Sequence, residues 1–301
     1  MDKFEAMRVF CSVIEAGSFV AAAEQTGLST TAVSRQVAQL EAHLNVRLLN
    51  RTTRRMSPTN EGFAYFERCT QLLADLEEVE ASVSGETRHP RGRLRLTAPI
   101  ALATLRLAPA FSAFCRSYPD ITLDVVLSDN VADFVEEGLD LAIRVGRVGS
   151  ENLVARHIGD TTLLIAASAD YLARAGRPEH PEDLLRHACF TYTYSATGNQ
   201  WQFEDEKGQP ISVRIGGPVN ANNGMLLAEM AAAGGGIVLA PCFILGPLIA
   251  SARLVQVLPE WKQRSLPIHV VYPTRRHLSA KVQAMTAFLG HWFAEQPART
   301  F

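Results

Sequence analysis

The sequence contains no CxxC pair, and its five cysteines (Cys11, Cys69, Cys115, Cys189 and Cys242) are scattered and odd in number. This argues against a disulfide framework and a structural zinc site, and it fits a reducing compartment. Each cysteine reads as a small buried hydrophobe, with a thiol sensor as the alternative. No stretch approaches the roughly 18 uninterrupted apolar residues of a membrane span. The opening MDKFEAMRVF carries acidic residues and no long apolar run, unlike a signal peptide. A cytoplasmic protein without a membrane partner is expected. Charge of one sign is not in excess either. The formal net charge is −2, so any nucleic-acid surface must come from local clustering.

Catalytic signatures are missing as well. GxSxG, HExxH and P-loop motifs are absent, and the eight histidines show no ligand spacing. The three glycines of AAAGGGIVLAP follow a helical stretch and precede a strand-like one. A phosphate-cradling loop needs the reverse order, so these glycines read as a helix stop and a tight packing point. No enzyme activity, metal or cofactor is expected.

What is present is 301 residues of ordinary globular composition, 47% hydrophobic and 20% charged. That is about twice a typical domain, so two or more domains are expected. Phe4, Met7, Val9, Phe10, Val13 and Ile14 give an apolar stripe for a first helix ending at Gly17. Ser18 is a plausible cap for a second, SFVAAAEQTG, which Gly27 stops. Ala21, Ala22 and Ala23 allow another helix to approach. Gly27-Leu28-Ser29 then supplies a tight turn, a core plug and the cap of a third helix. Two short helices about such a turn make a helix-turn-helix.

The third helix, in STTAVSRQVAQLEAHL, has two unlike faces. Val33, Val37, Leu40 and Leu44 suit a core, whereas Thr30, Thr31, Ser34, Arg35 and Gln39 face away. Short hydroxyls let a backbone approach phosphates, and an arginine can fork onto guanine O6 and N7. A solvated face of a three-helix core is the alternative. The next stretch, VRLLNRTTRRMSPT, carries Arg47, Arg51, Arg54 and Arg55 with no acidic residue from 45 to 60. It reads as a basic β-wing, with Leu48 and Leu49 anchoring one strand and Thr52–Thr53 turning into another. Each phosphate neutralised there should steepen the salt dependence of binding by about 0.9 in log–log slope. A basic loop balancing acidic helices is the alternative.

The continuous run SFVAAAEQTGLSTTAVSRQVAQLEAHLNVRLLNRTTRRMSPTNEG resembles the LysR-type transcriptional regulators, most specifically in AVSRQVAQLE and LLNRTTRRMSPTNEG. Thr30 and Thr31 stand where that family often has proline or glutamine, so an operator sequence does not transfer. The resemblance implies a DNA interface of Ser29, Thr30, Thr31, Ser34, Arg35 and Gln36 with the wing residues Arg51, Arg54 and Arg55. It also implies an α/β fold class: a winged helix-turn-helix at 1–60, a linker helix and hinge at 61–92, and an effector-binding domain at 93–301. That last domain would have two lobes of periplasmic-binding-protein type, 93–168 with 267–301, and 169–266.

In the linker, Tyr65, Cys69, Leu72, Leu76, Val79 and Val83 recur at spacings 4, 3, 4, 3, 4. This is an a/d seam, either of a two-chain coiled coil or of a helix packed on its own domain. The resemblance favours the former, hence a homodimer on an interrupted palindrome of double-stranded DNA and a homotetramer through the α/β domains, with RNA polymerase as a further partner. From Leu94 the pattern becomes α/β, with LRLTAP, ITLDVVLS, DLAIRVG, TLLIAAS, GIVLAP and PIHVVYP as strands of largely parallel sheets. Ligands of such sheets bind at the carboxyl ends of strands. Thr97, Ala98, Ile100, Ser128, Arg144, Asn220, Asn222 and Asn223 stand at such ends, and Thr193 and Ser195 lie in the polar TYTYSATGN stretch. By resemblance they border the site of a small anionic effector, with free amides expected near Ile100. A DNA-tethered enzyme and an architectural DNA-binding protein are the rival classes.

Overall fold

Polar caps and glycines divide the first sixty residues. Asp2 accepts from the Phe4 and Glu5 amides to start α1 (Lys3–Ala16), and Gly17 ends it in the left-handed conformation. Ser18 accepts from Ala21 N to start α2 (Phe19–Thr26), which Gly27 ends likewise, and Ser29 accepts from Ala32 N to start α3 (Thr30–Leu44). The hairpin β1 (Leu49–Arg51) and β2 (Met56–Pro58) pairs Leu49 with Pro58 and Arg51 with Met56. Then comes α4 (Asn60–Ser84). The computed structural model describes residues 1–51, 56–84, 90–130, 134, 137–148, 152–204, 208–263, 265–274 and 278–295. It divides into two compact units, Met1–His89 and Pro90–Phe301.

The core of the first unit is the apolar stripe of each helix turned inward: Val9, Phe10, Val13, Val33, Val37, Leu40, Leu48 and Leu49 are buried together. Phe4, placed in that stripe by spacing, is 44% exposed instead. Glu41 joins helix to wing, because its carboxylate accepts from the backbone amides of Leu48 and Leu49 at 2.9 and 3.1 Å. Thr59 joins wing to α4: its hydroxyl donates to the Arg47 carbonyl at 2.8 Å and accepts from Gly62 N at 2.9 Å. The first turn of α4 lies so close to Leu48 that a Cβ at Gly62 would sit 1.9 Å from its carbonyl oxygen. The seam of α4 divides. Cys69 is buried and Tyr65 packs in the core of its own unit, with Leu73 in place of Leu72. Leu72 is 46% exposed, and the side chains of Val79 and Val83 lie outside the described residues.

The second unit opens with β3 (Gly92–Ala98), then α5 (Ile100–Leu102), which runs through a π turn at Ala103–Leu107 into α6 (Ala108–Ser117). There follow β4 (Ile121–Leu127), β5 (Leu141–Val145), β6 (Leu153–Ala167), α7 (Ala169–Ala175), β7 (Cys189–Tyr192), β8 (Gln200–Glu204), β9 (Pro210–Arg214) and β10 (Asn220–Ala221). The rest is α8 (Gly224–Ala232), β11 (Ile237–Pro241), α9 (Cys242–Ala250), β12 (Val255–Gln256), β13 (Lys262–Gln263), β14 (Ser265–Pro273) and α10 (Ala280–Ala294). The main sheet runs β10-β7-β11-β6-β14-β5-β3-β4, and β13-β8-β9 form a small separate sheet.

Parallel pairing holds on both flanks, β4-β3-β5 on one and β10-β7-β11 on the other. The centre departs from the expected parallel pattern: β14 is antiparallel to β5 and β6, and β6 is antiparallel to β11. The physical reason is connectivity. The long β6 crosses the sheet, pairing with β14 over 153–162 and with β11 over 163–167, so the two flanks share strands rather than linkers. Where α10 packs on β3, Lys281 and Asp140 form a buried ion pair at 3.2 Å. Lys281 also donates to Arg93 O at 2.7 Å, and Asp140 accepts from Arg95 N at 2.9 Å.

Candidate nucleic-acid interface and effector cleft

The outer face of α3 carries short polar groups. Ser29, Thr30, Thr31 and Arg35 are exposed, while Ser34 and Gln36 are half-buried. Ser29 Oγ accepts from Ala32 N as the cap, which leaves its O–H available to donate outward. Gln36 keeps its Oε1 buried without a hydrogen-bond partner. The opposite face supplies Val33, Val37 and Leu40 to the core, so burial fixes which residues look outward. Arg54 and Arg55, and the side chain of Arg51, lie outside the described residues. Arg47 is exposed at the start of the wing.

In the second unit the strand ends separate the expected site residues into two kinds. Thr97 and Ala98 are fully buried, and Ala98 belongs to the main core, so neither presents a side chain to a cleft. Leu94, Leu96 and Ala98 share the face that joins the main core, and Thr97, on the opposite face, is buried as well because the strand is covered on both sides. Ile100, Ser128 and Arg144 do come together. Arg144 Nη1 donates to Ser128 O at 3.3 Å and to Ile143 O at 3.1 Å, and Nη2 is buried with no partner. Burial lowers the pKa of this guanidinium, offset by Glu137 and Asp129.

The free amide expected near Ile100 is taken. Ile100 N donates to Asp129 Oδ1 at 3.1 Å, so the protein's own carboxylate sits there. Burial raises the Asp129 pKa against the opposing pull of that amide and of Arg144. Across the sheet, burial pushes the Tyr192 phenol up to about 12, with the Asp129 charge adding to it, so groups from both flanks sense one another. Thr193 is exposed and donates to Asn220 Oδ1 at 3.2 Å, as Thr191 does at 3.1 Å. Asn223 caps α8 through Leu226 N at 2.9 Å, Asn222 is exposed beside it, and Ser195 Oγ lies 3.3 Å from Thr197 Oγ1. Tyr192 carries no sign of this role in the sequence, whereas Asp129 stands in the strand-end stretch Ser128-Asp129-Asn130. A groove of about 400 Å³, lined by Trp261, Gln263, Gln256 and Ser265, holds none of the expected effector residues.

A three-helix core with an outward hydroxyl-bearing helix and a hairpin, joined to a mixed α/β unit, defines a helix-turn-helix regulator. Residues 4–63 match the family described as bacterial regulatory helix-turn-helix protein, lysR family, and residues 87–294 match the LysR substrate binding domain. The chain belongs to the LysR family of transcriptional regulators. It is 40% identical over 286 residues to an uncharacterized HTH-type transcriptional regulator of Haemophilus influenzae, covering 95% of this chain and 99% of that one. It is 37% identical to an HTH-type transcriptional repressor of Pseudomonas aeruginosa, covering 99% and 94%. The structure of CrgA, a LysR-type transcriptional regulator from Neisseria meningitidis, aligns with TM-score 0.61 at 33% identity over 97% of this chain and 99% of that one. The relatives are named as regulators, and this chain is a DNA-binding transcriptional regulator, not an enzyme. Among the described residues no helix is long and apolar enough to cross a membrane.

Proposed function

We propose that this regulator binds an interrupted palindrome in cytoplasmic DNA as a homodimer, with one α3 of each protomer in successive major grooves. The single observation that carries the reading is the outward face of α3, where Thr30, Thr31 and Arg35 are exposed above a core that fixes their direction. The proposed organisation is a winged helix-turn-helix at 1–60, a linker at 61–92 that dimerises through the part of α4 beyond Leu72, and an effector domain at 93–301. The lobes are 93–168 with 267–301, and 169–266, and tetramers form through these domains. A small anionic metabolite binds between the lobes. Arg144, with its unpaired Nη2, supports the anionic preference, and Thr193, bonded to Asn220 on the other flank, would supply the opposite wall. RNA polymerase is the partner through which bound protein acts. The effector works by differential affinity for two arrangements, a coupling of about 1–3 kcal/mol.

The test is selection of bound fragments from the source genome, followed by measurement of specific and random duplex affinities. A recovered two-fold site bound at least a thousandfold tighter than random DNA supports the reading. A ratio near one makes the protein an architectural binder. A metabolite screen by thermal shift, repeated on Arg144→Met, tests the cleft, and a carboxylate that binds both forms equally would place the effector elsewhere.

A further inference from the structure

Two of the five cysteines meet across one helix pair. The α1–α4 packing sets Phe10 against Tyr65, ring centroids 5.8 Å apart. One turn further along α4, the Thr70 hydroxyl reaches Cys11 Sγ at 3.8 Å. Cys69, the residue before Thr70, is buried in the same apolar cluster as Cys11. The other cysteines are held apart: Cys189 bonds to Leu184 O, Cys242 lies beside Thr161, and Cys115 is exposed on α6. We propose that Cys11 and Cys69 are a thiol–disulfide couple, closed by a hydroperoxide, that staples α4 to the helix-turn-helix core.

The two sulfurs differ in a way that assigns their roles. The hydrogen bond from Cys11 lowers the Cys69 pKa, a hydrogen bond from Tyr65 helps, and burial opposes both. Cys11 is driven the other way by that same bond to Cys69 and by burial. Cys69 is therefore the thiolate that reacts first, because the thiolate is the nucleophile. Its sulfur attacks one oxygen of the hydroperoxide and the O–O bond breaks. The other oxygen leaves with the electron pair as alkoxide or hydroxide, takes up the proton that Cys69 gave up to become alcohol or water, and Cys69 becomes a sulfenic acid. Cys11 then attacks the Cys69 sulfur. The S–O bond breaks, the departing hydroxide takes the Cys11 proton as water, and the S–S bond forms. The bond joins residues of the DNA-binding core to the helix that leaves it, while α3 keeps its outward face.

The experiment uses the full-length protein and a few equivalents of hydrogen peroxide or cumene hydroperoxide. Free thiols are then blocked in denaturant with N-ethylmaleimide, and the digest is mapped without reductant. A single Cys11–Cys69 disulfide, reversed by dithiothreitol, is expected. The oxidised protein should also melt several degrees higher in the transition of its N-terminal unit. In Cys11→Ser, whose hydroxyl can still donate to Cys69 but cannot close a disulfide, the Cys69 sulfenic acid should persist and be captured by dimedone, whereas Cys69→Ala should leave Cys11 fully alkylated. Wild-type protein in which both cysteines remain alkylated after oxidation, or in which either pairs with another cysteine or another chain, overturns the proposal without reliance on a variant.

Discussion

At the residue scale, the groups that matter most are those with a single arrangement open to them. Asp140 is buried against Lys281 and accepts from Arg95 N. Removing the ammonium leaves a carboxylate in the core, so Lys281→Met should cost about 3–5 kcal/mol, read as a lower melting transition of residues 90–301. A double variant with Asp140→Asn should recover part of the loss. Gly62 has no room for a side chain beside Leu48 O. The backbone itself would have to move, so Gly62→Ala should cost about 1–3 kcal/mol in denaturant titration of the N-terminal unit. On DNA, Arg35→Ala should lose about 1–3 kcal/mol and relax preference at one base pair, measured by competition among operator variants. A uniform loss over all sequences would instead identify Arg35 as a phosphate contact.

His187 gives the pH dependence. The Tyr171 hydroxyl accepts from Ala188 N at 3.0 Å and lies 3.1 Å from His187 Nδ1. The neutral ring is the one the fold holds, and burial lowers the pKa of His187, partly offset by Asp183. Burial lowers His269 too, with His157 adding to the shift. Histidines depressed in the folded state contribute stability that is complete above their unfolded value of about 6.5 and is lost as pH falls through it. The melting temperature of the C-terminal unit should therefore drop between pH 7.5 and 5.5. His187→Gln should flatten part of that slope, and an unchanged slope would remove His187 from the account.

At the scale of elements, caps decide where helices begin and burial decides which face shows. Ser29 holds the first turn of α3 through Ala32 N. Ser29→Ala should cost about 1 kcal/mol of stability in the N-terminal unit and weaken DNA binding through fraying. Ser29→Asp should restore stability, since aspartate caps equally well, but not affinity, since it repels phosphate. The helices, their glycine stops and the wing strands were legible in the sequence because each follows from local chemistry: a hydroxyl, a left-handed glycine, a stripe every three or four residues. What was not legible depended on long-range partners. Glu41 reads as one more acid on a helix, yet it satisfies two wing amides. The α4 heptad predicts a seam but not its owner, and the structure gives Tyr65 and Cys69 to the protein's own core. In the α/β region six strands were readable as apolar runs. The amino-terminal half of β6, LVARHIGD, escaped because most of its residues are exposed and its pattern does not alternate. Thr97 and Ala98 sat at a strand end as expected, but the strand is covered on both faces and both are buried, and Asp129 took the amide reserved for a ligand.

At the scale of the whole molecule, the division at residue 89 has a thermodynamic expectation attached. Each unit has its own buried cluster, so a fragment of residues 90–301 should unfold cooperatively alone. It should show the same thermal transition as in the full chain and should not retain duplex DNA. A ligand of that unit at about a hundredfold its dissociation constant should add about 2.7 kcal/mol to that transition and leave the other where it was. Two transitions that shift together would mean that the units melt as one.

The fifteen-residue β6 bears on how any signal could move through the effector unit. A strand held by β14 over one stretch and β11 over the next cannot lengthen, and its hydrogen bonds break before it folds over. It can wind or unwind about its own axis, and it already yields at Ile158, the extra residue between Gly159, paired with Ile268, and His157, paired with His269. Occupancy of the strand-end residues would then be transmitted as torsion, a few degrees of rotation between the flanks, rather than as the opening of a jaw.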